Sequence, residues 1–452
     1  MTAVLSAPLP TTSDVAGDVE PCIESSPVTA TADSFTGRPG IAPLAGVVGA
    51  DECVPCASGS PVRYANLDYA ASAPALAEVA SAVQGALAQY ASVHRGAGHL
   101  SQVTTRRYEA ARDVVRRFVR GRIDDSVVFT RGTTDAINLA AHATRGDVVV
   151  LDIEHHANLL PWCETDQTGS SRVRIVQACD TIEDTLTALE AELASSPAAL
   201  LAVTAASNVT GEVLPIGRLA AAAHRHGARI LIDAAQLVAH RRISMVSHGI
   251  DYLVFSGHKL YAPFGAGVLV GRSDWLDEAA PYLAGGGASA HVAVGASDES
   301  GTDVQWHTGP ARHEAGSPNV LGAIAIAAAC DALADIGFES IGLHEAELTT
   351  RLDEGLAGLT GVTALRIFSD STERVGIAGF DVAGFTPREV AEYLSSAAGI
   401  GVRDGKFCAH PLLKRLGHPE GAVRASFGLG TGSDDIDRLI DALSGLTRAR
   451  TA

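Results

Sequence analysis

The chain is poor in aromatic residues (5%) and in charged ones (19%), and it has no long run of lysine and arginine. With a net charge of −18, it lacks the positive surface that a nucleic-acid partner requires. No apolar stretch reaches the roughly 18 residues that span a bilayer. The N-terminus has neither the basic segment nor the apolar core of a secretory signal. No membrane partner is expected. Cysteine is scarce and scattered: Cys22, Cys53, Cys56, Cys163, Cys179, Cys330 and Cys408. An odd, irregular set argues against a disulfide framework and for a reducing, cytoplasmic location. Cys53-Val-Pro-Cys56 has no second pair to complete a four-ligand site, so no metal is expected, and two free thiols in a tail are the simpler reading. What the chain does have is small and apolar. Hydrophobic residues make up 46% of 452, enough for two or three domains and a large core.

Residues 1–60 are rich in Ser, Thr, Pro, Ala and Gly without helical or strand period, and read as a mobile leader. Order begins near Val62 to Asp68, and this first ordered segment is placed on the small domain at the other end of the chain. Helical spacing follows over 74–92 and 104–120, with His94-Arg95-Gly96 in the loop between. Short apolar runs at 127–130, 148–151, 173–176, 200–204, 230–232, 252–255 and 268–270 then alternate with amphipathic segments. That rhythm predicts an α/β fold with a mainly parallel seven-stranded sheet covered on both faces. Residues 284–314 read as a loop or hairpin at a pocket mouth. A long Ala-rich helix starts near Asn319, and residues 362–449 change style to a small α+β unit. The expected boundaries are 61–320 for the large domain and 321–452 for the small one.

Parallel sheets bind ligands beyond the carboxyl ends of their strands. Five strand ends here carry polar residues: Arg131-Gly132-Thr133-Thr134, Glu154-His155-His156-Ala157-Asn158, Ser207-Asn208, Asp233-Ala-Ala-Gln236 and Ser256-Gly257-His258-Lys259. The Gly-Thr-Thr segment opens a helix, whose unpaired N–H groups suit a phosphate, although Thr133 or Thr134 could simply cap it. Lys259 lies in a tight turn between two apolar runs. Packing there can desolvate the amine and lower its pKa, as a Schiff-base lysine needs, whereas most turn lysines merely sit on a surface.

These motifs, together with Glu314-Ala-Gly-Ser-Pro-Asn319, resemble the class V aminotransferase-fold pyridoxal-phosphate enzymes, and among them the SUF-type cysteine desulfurases and selenocysteine lyases. The resemblance runs from about residue 62 to the C-terminus and implies a fold type I enzyme. It further implies that Lys259 holds pyridoxal 5′-phosphate, that Asp233 pairs with the ring nitrogen, that Gln236 meets the phenolic oxygen and that His155 stacks on the ring and shuttles a proton. Thr133, Thr134, Ser256 and His258 would hold the phosphate, joined by Ser317 of the partner subunit in a homodimer. At the substrate end, Arg424 suits an α-carboxylate, with Asn208 and Arg403 nearby. Cys408, in Arg403-x-Gly405-x-x-Cys408, matches the loop cysteine of the desulfurases; Lys406 and Arg403 could lower its pKa. A buried structural thiol is the plainer alternative.

The resemblance implies conversion of L-cysteine to alanine with a persulfide on Cys408, for a sulfur-acceptor protein and for sulfur mobilisation such as iron–sulfur cluster assembly. Two other readings stay open. One is a related C–S or C–Se lyase, acting on L-selenocysteine or a specialised amino acid, or an epimerase. The other is a largely non-catalytic assembly partner in which Cys53 and Cys56 relay sulfur.

Overall fold

The structure, a computed structural model, describes residues 39–451 apart from 58, 170 and 295–300. Most of the expected leader, residues 1–38 with Cys22, lies outside the described residues.

Seven strands form the central sheet: β1 (Ser126–Thr130), β2 (Val148–Leu151), β3 (Val173–Val176), β4 (Leu200–Thr204), β5 (Arg229–Asp233), β6 (Tyr252–Ser256) and β7 (Gly267–Gly271). Their spatial order is β1-β7-β6-β5-β4-β2-β3. The pairs from β6 through β5, β4 and β2 to β3 are parallel. Only β7 runs against both of its neighbours, β1 and β6. Strands β4 and β6 are buried at every position, which is why they read as continuous apolar runs rather than alternating ones. The mixed α/β layering expected from the strand–helix rhythm is therefore present. Beyond it, a hairpin pairs β8 (Ser289–Val294) with β9 (Thr302–Trp306). Two long helices, Val320–Ile336 and Phe338–Ala357, lead to an antiparallel four-stranded sheet of β10 (Val362–Ala364), β11 (Ile377–Val382), β12 (Arg403–Gly405) and β13 (Ala422–Ser426), in the order β10-β11-β13-β12. Among the described residues no single helix is long and apolar enough to cross a membrane.

Two expectations need correcting at the N-terminal end. Residues 39–57, assigned to the leader, pack against the C-terminal part of the chain. The Leu44 and Ala45 N–H groups donate to Leu429 O, at 2.7 and 3.0 Å, and Ile41 N–H donates to Ser433 Oγ. Cys53–Val54 pairs with Val62–Arg63, and Ala65–Asn66 pairs with Ile400–Gly401. These backbone bonds, with Ile41, Leu44 and Val47 packed against the core, order a segment that has no hydrophobic period. Nor are Cys53 and Cys56 two free thiols: Cys53 is disulfide-bonded and Cys56 is free. The pair is not closed on itself.

A buried ion pair ties the segment before Ser317 to the sheet. Arg112 grips Glu314 with two bonds of 2.7 and 2.6 Å, and Glu314 also accepts from Tyr108 Oη and the Phe129 N–H. Burial opposes the Arg112 charge, but Glu314 outweighs it and holds the guanidinium above its ordinary range. Removing one partner strands the other in the core. Arg112→Met should therefore cost about 3–5 kcal/mol in a denaturant melt, and Arg112→Met/Glu314→Gln should recover much of that loss.

Candidate active site

The carboxyl ends of β4, β5 and β6, the turn after β1 and the loop after β2 surround a cavity of about 410 Å³. Strand β6 ends at Ser256, and the chain makes one 3-10 turn over Gly257–Lys259 before returning as β7. That turn is fixed by Gly257 N–H donating to Ala266 O and by Ala262 N–H donating to Gly257 O, both at 2.8 Å. The Lys259 side chain is thereby delivered into the cavity, where burial pulls its amine down to about 8 despite the opposing pull of Asp233. Only the neutral amine attacks an aldehyde. Cofactor uptake by the cofactor-free protein should therefore quicken with pH up to about 8 and level off above it, as followed by visible absorbance after mixing. With an ordinary surface lysine the rate would keep rising toward pH 10.5.

Asp233 is the last residue of β5 and is buried. Its Oδ1 accepts from Ala235 N–H at 2.9 Å, and burial raises its pKa while Lys259 opposes the shift. Gln236 donates through Nε2 to Ala70 O at 2.9 Å. His155 caps the short turn 156–158 by accepting from Ala157 N–H on Nδ1, which leaves the proton on Nε2. Burial and then Lys259 press His155 down to about 3, so the ring is neutral across the physiological range. Beneath it, the fully buried Glu154 accepts from Asn158 Nδ2 and Thr204 N–H, and burial raises it to about 8.

The turn after β1 is pressed onto the sheet. A Cβ on Gly267 would lie 2.5 Å from Gly132 Cα, so the neighbouring strand must carry glycine there. Thr133 then opens the helix Thr133–Ala143 with its N–H and Oγ1 both 2.7 Å from Ser256 Oγ. Gly132 supplies no side-chain cap. The result is a helix N-terminus facing the cavity with hydroxyls around it, a donor set suited to phosphate. Thr134 and His258 also line the cavity.

The opposite wall comes from the small sheet. Arg424 on β13 is buried, donates to Asn208 O at 2.9 Å and contacts Asp68 at 3.2 Å, while its buried Nε has no partner. Burial lowers Arg424 to about 10, with Asp68 opposing. Asp68 bridges to Arg403 as well, at 2.8 Å. Cys408 is exposed at the cavity rim. Of the thirteen expected site residues, twelve therefore line one cavity: Thr133, Thr134, His155, Asn208, Asp233, Gln236, Ser256, His258, Lys259, Arg403, Cys408 and Arg424. Ser317 is not among them; it is exposed, between Gly316 and Pro318 on a separate cleft of about 520 Å³. Asp68 and Phe407 were not anticipated. The acid in Asn66-Leu67-Asp68, just after the short strand Ala65–Asn66, was the one available signal.

The donor set fits pyridoxal 5′-phosphate. A desolvated amine suits its aldehyde, a buried carboxylate its ring nitrogen, and a hydroxyl-ringed helix start its phosphate. A family model described as aminotransferase class-V matches residues 65–439. A cysteine desulfurase of Dickeya dadantii is 37% identical over 86% of this chain and 93% of its own length. Among solved structures, the apo cysteine desulfurase of Thermococcus onnurineus superposes with a TM-score of 0.77 at 31% identity, covering 85% of this chain and 95% of that one. The cysteine desulfurase CsdA of Escherichia coli, in its S-sulfonic acid form, gives 0.74 at 33% identity with the same coverage.

Proposed function

We propose that this chain, which belongs to the class V aminotransferase family, is a pyridoxal-phosphate-dependent cysteine desulfurase that carries the transferred sulfur on Cys408. One observation carries the reading: Lys259, Asp233, Arg424 and Cys408 share a single cavity.

Pyridoxal 5′-phosphate, when bound, supplies an electron-withdrawing ring that loosens the bonds around the substrate α-carbon. Lys259 would hold it covalently and, once displaced by substrate, move the proton at Cα. Asp233 would keep a proton on the ring nitrogen, Gln236 would donate to the phenolic oxygen, and neutral His155 would cover the ring face. Thr133, Thr134, Ser256 and His258 would take the phosphate. Arg424 has a buried, unpartnered Nε and would grip the substrate carboxylate, with Arg403 held close by through Asp68. The Cys408 thiolate would then attack the sulfur of L-cysteine. An S–S bond forms, the Cβ–S bond breaks, and its electron pair returns to Cβ, which takes a proton. Alanine and a Cys408 persulfide balance cysteine and thiol with no external oxidant.

The exposed position of Cys408 suits delivery to an acceptor protein, as sulfur mobilisation for iron–sulfur cluster assembly requires. The exposure of Ser317 beside an open cleft supports a homodimer in which Ser317 of the partner subunit completes the phosphate site. Five free cysteines among the described residues support a cytoplasmic location. Mass spectrometry after incubation with L-cysteine is the test. One added sulfur on the Cys408 peptide and stoichiometric alanine are expected, and a keto acid without added sulfur would put a lyase in place of the desulfurase.

A further inference from the structure

Five non-glycine residues among those described have φ in the left-handed region, and two of them are adjacent: Phe407 at 50° and Cys408 at 52°. Ala409 N–H donates to Lys406 O at 2.9 Å, so residues 406–409 close a β-turn whose central pair has the φ signs of a type I′ turn. Such turns normally take Asn-Gly, because a Cβ is crowded when φ is positive. A Phe-Cys pair would relax out of this geometry unless something outside the turn held it.

Two bonds do so, one on each central carbonyl. Asn208, just beyond β4, donates through Nδ2 to Phe407 O at 2.8 Å. The His156 N–H, just beyond β2, donates to Cys408 O at 2.8 Å. Asn208 is itself fixed: it is 7% exposed, and its own carbonyl accepts from Arg424 Nη1. The Arg424 guanidinium also lies over the Phe407 ring, 5.1 Å from its centroid. The amide expected to serve the substrate carboxylate thus directs its donor to the thiol loop. The carboxylate-binding arginine and the thiol-bearing turn meet at the same side chain.

We infer that Asn208 is a positioning residue for Cys408: its amide, through the Phe407 carbonyl, holds the strained 406–409 turn closed and so keeps the thiol at the cavity. The catalytic meaning of this latch rests on the desulfurase reading; its existence does not. The test uses the full-length protein with Asn208→Ala and with Asn208→Asp, which keeps the volume but cannot donate. Hydrogen–deuterium exchange of the cofactor-free proteins should show a peptide covering 405–410 exchanging about tenfold faster in both variants, with β4 unchanged. In the loaded enzymes, kcat for alanine formation should fall about tenfold with KM for L-cysteine within about twofold, the signature of a misplaced nucleophile rather than a lost substrate contact. Unchanged exchange at 405–410, or exchange that quickens equally throughout β4, overturns the inference. A raised KM with kcat retained also overturns it, because that is the behaviour of a carboxylate ligand. Failure of the unaltered enzyme to form alanine would instead remove the desulfurase reading and leave the latch to the exchange data.

Discussion

Lys259→Ala is expected to purify colourless, to retain no cofactor after borohydride reduction, and to lose activity by about a thousandfold or more. The chain has only three lysines, Lys259, Lys406 and Lys414, so peptide mapping of the reduced, unaltered protein can assign the attachment with little ambiguity. The side chain reaches a cavity that also holds Asp233, and burial leaves about half of its amine neutral near pH 8. The other two lysines lie on the cysteine loop and in the short helix after it. The variant should not unfold. Burial lowers the Lys259 pKa from 10.5 to about 8, so the unfolded chain binds the proton more tightly. Folding with lysine is thus disfavoured progressively as pH falls from about 10.5 to 8, and the full penalty applies below that. Alanine removes it. The cofactor-free variant should therefore melt no lower than its cofactor-free parent at pH 7. Colour retained together with a label on Lys406 or Lys414 would defeat the assignment.

Much of this site was legible because of how parallel strands are made. A strand buried on both faces is apolar throughout, so its end is marked by the first polar residues, and those residues necessarily face the ligand edge of the sheet. Thr133, His155, Asn208, Asp233 and Lys259 were all found that way. Asp68 was not, because its role depends on two arginines more than 330 residues away along the chain. The turn at Phe407-Cys408 was not legible either: neither residue type signals positive φ, and the bonds that impose it come from other strand ends. The packing of residues 39–57 escaped the pattern for a third reason, since backbone hydrogen bonds and a few scattered apolar contacts leave no trace in hydrophobic periodicity. Ser317 stands apart from the cavity in one chain. The family's resemblance, not its own surroundings, singled it out.

Cys408→Ser should separate cofactor chemistry from sulfur transfer. Within one chain, the phosphate, ring-nitrogen and amine partners proposed for the cofactor all lie at strand ends of the large sheet, whereas Cys408 follows β12 of the small one. The variant should therefore keep its colour and its Lys259 linkage. Alanine formation from L-cysteine should drop by about a thousandfold, because a hydroxyl at this position is neither ionised nor able to accept sulfur as a persulfide. Mass spectrometry should find no added sulfur on the 403–415 segment. The sharper outcome lies in the products. A lyase that eliminates sulfide needs no protein thiol and yields a keto acid, so undiminished sulfide release by Cys408→Ser, accompanied by keto acid, would identify elimination as the native reaction. Undiminished alanine formation would require another thiol to reach the cavity. Cys330 is buried in the core, and no free cysteine among the described residues other than Cys408 lines the cavity. Loss of alanine with colour preserved is thus the result that the geometry of a single rim thiol demands.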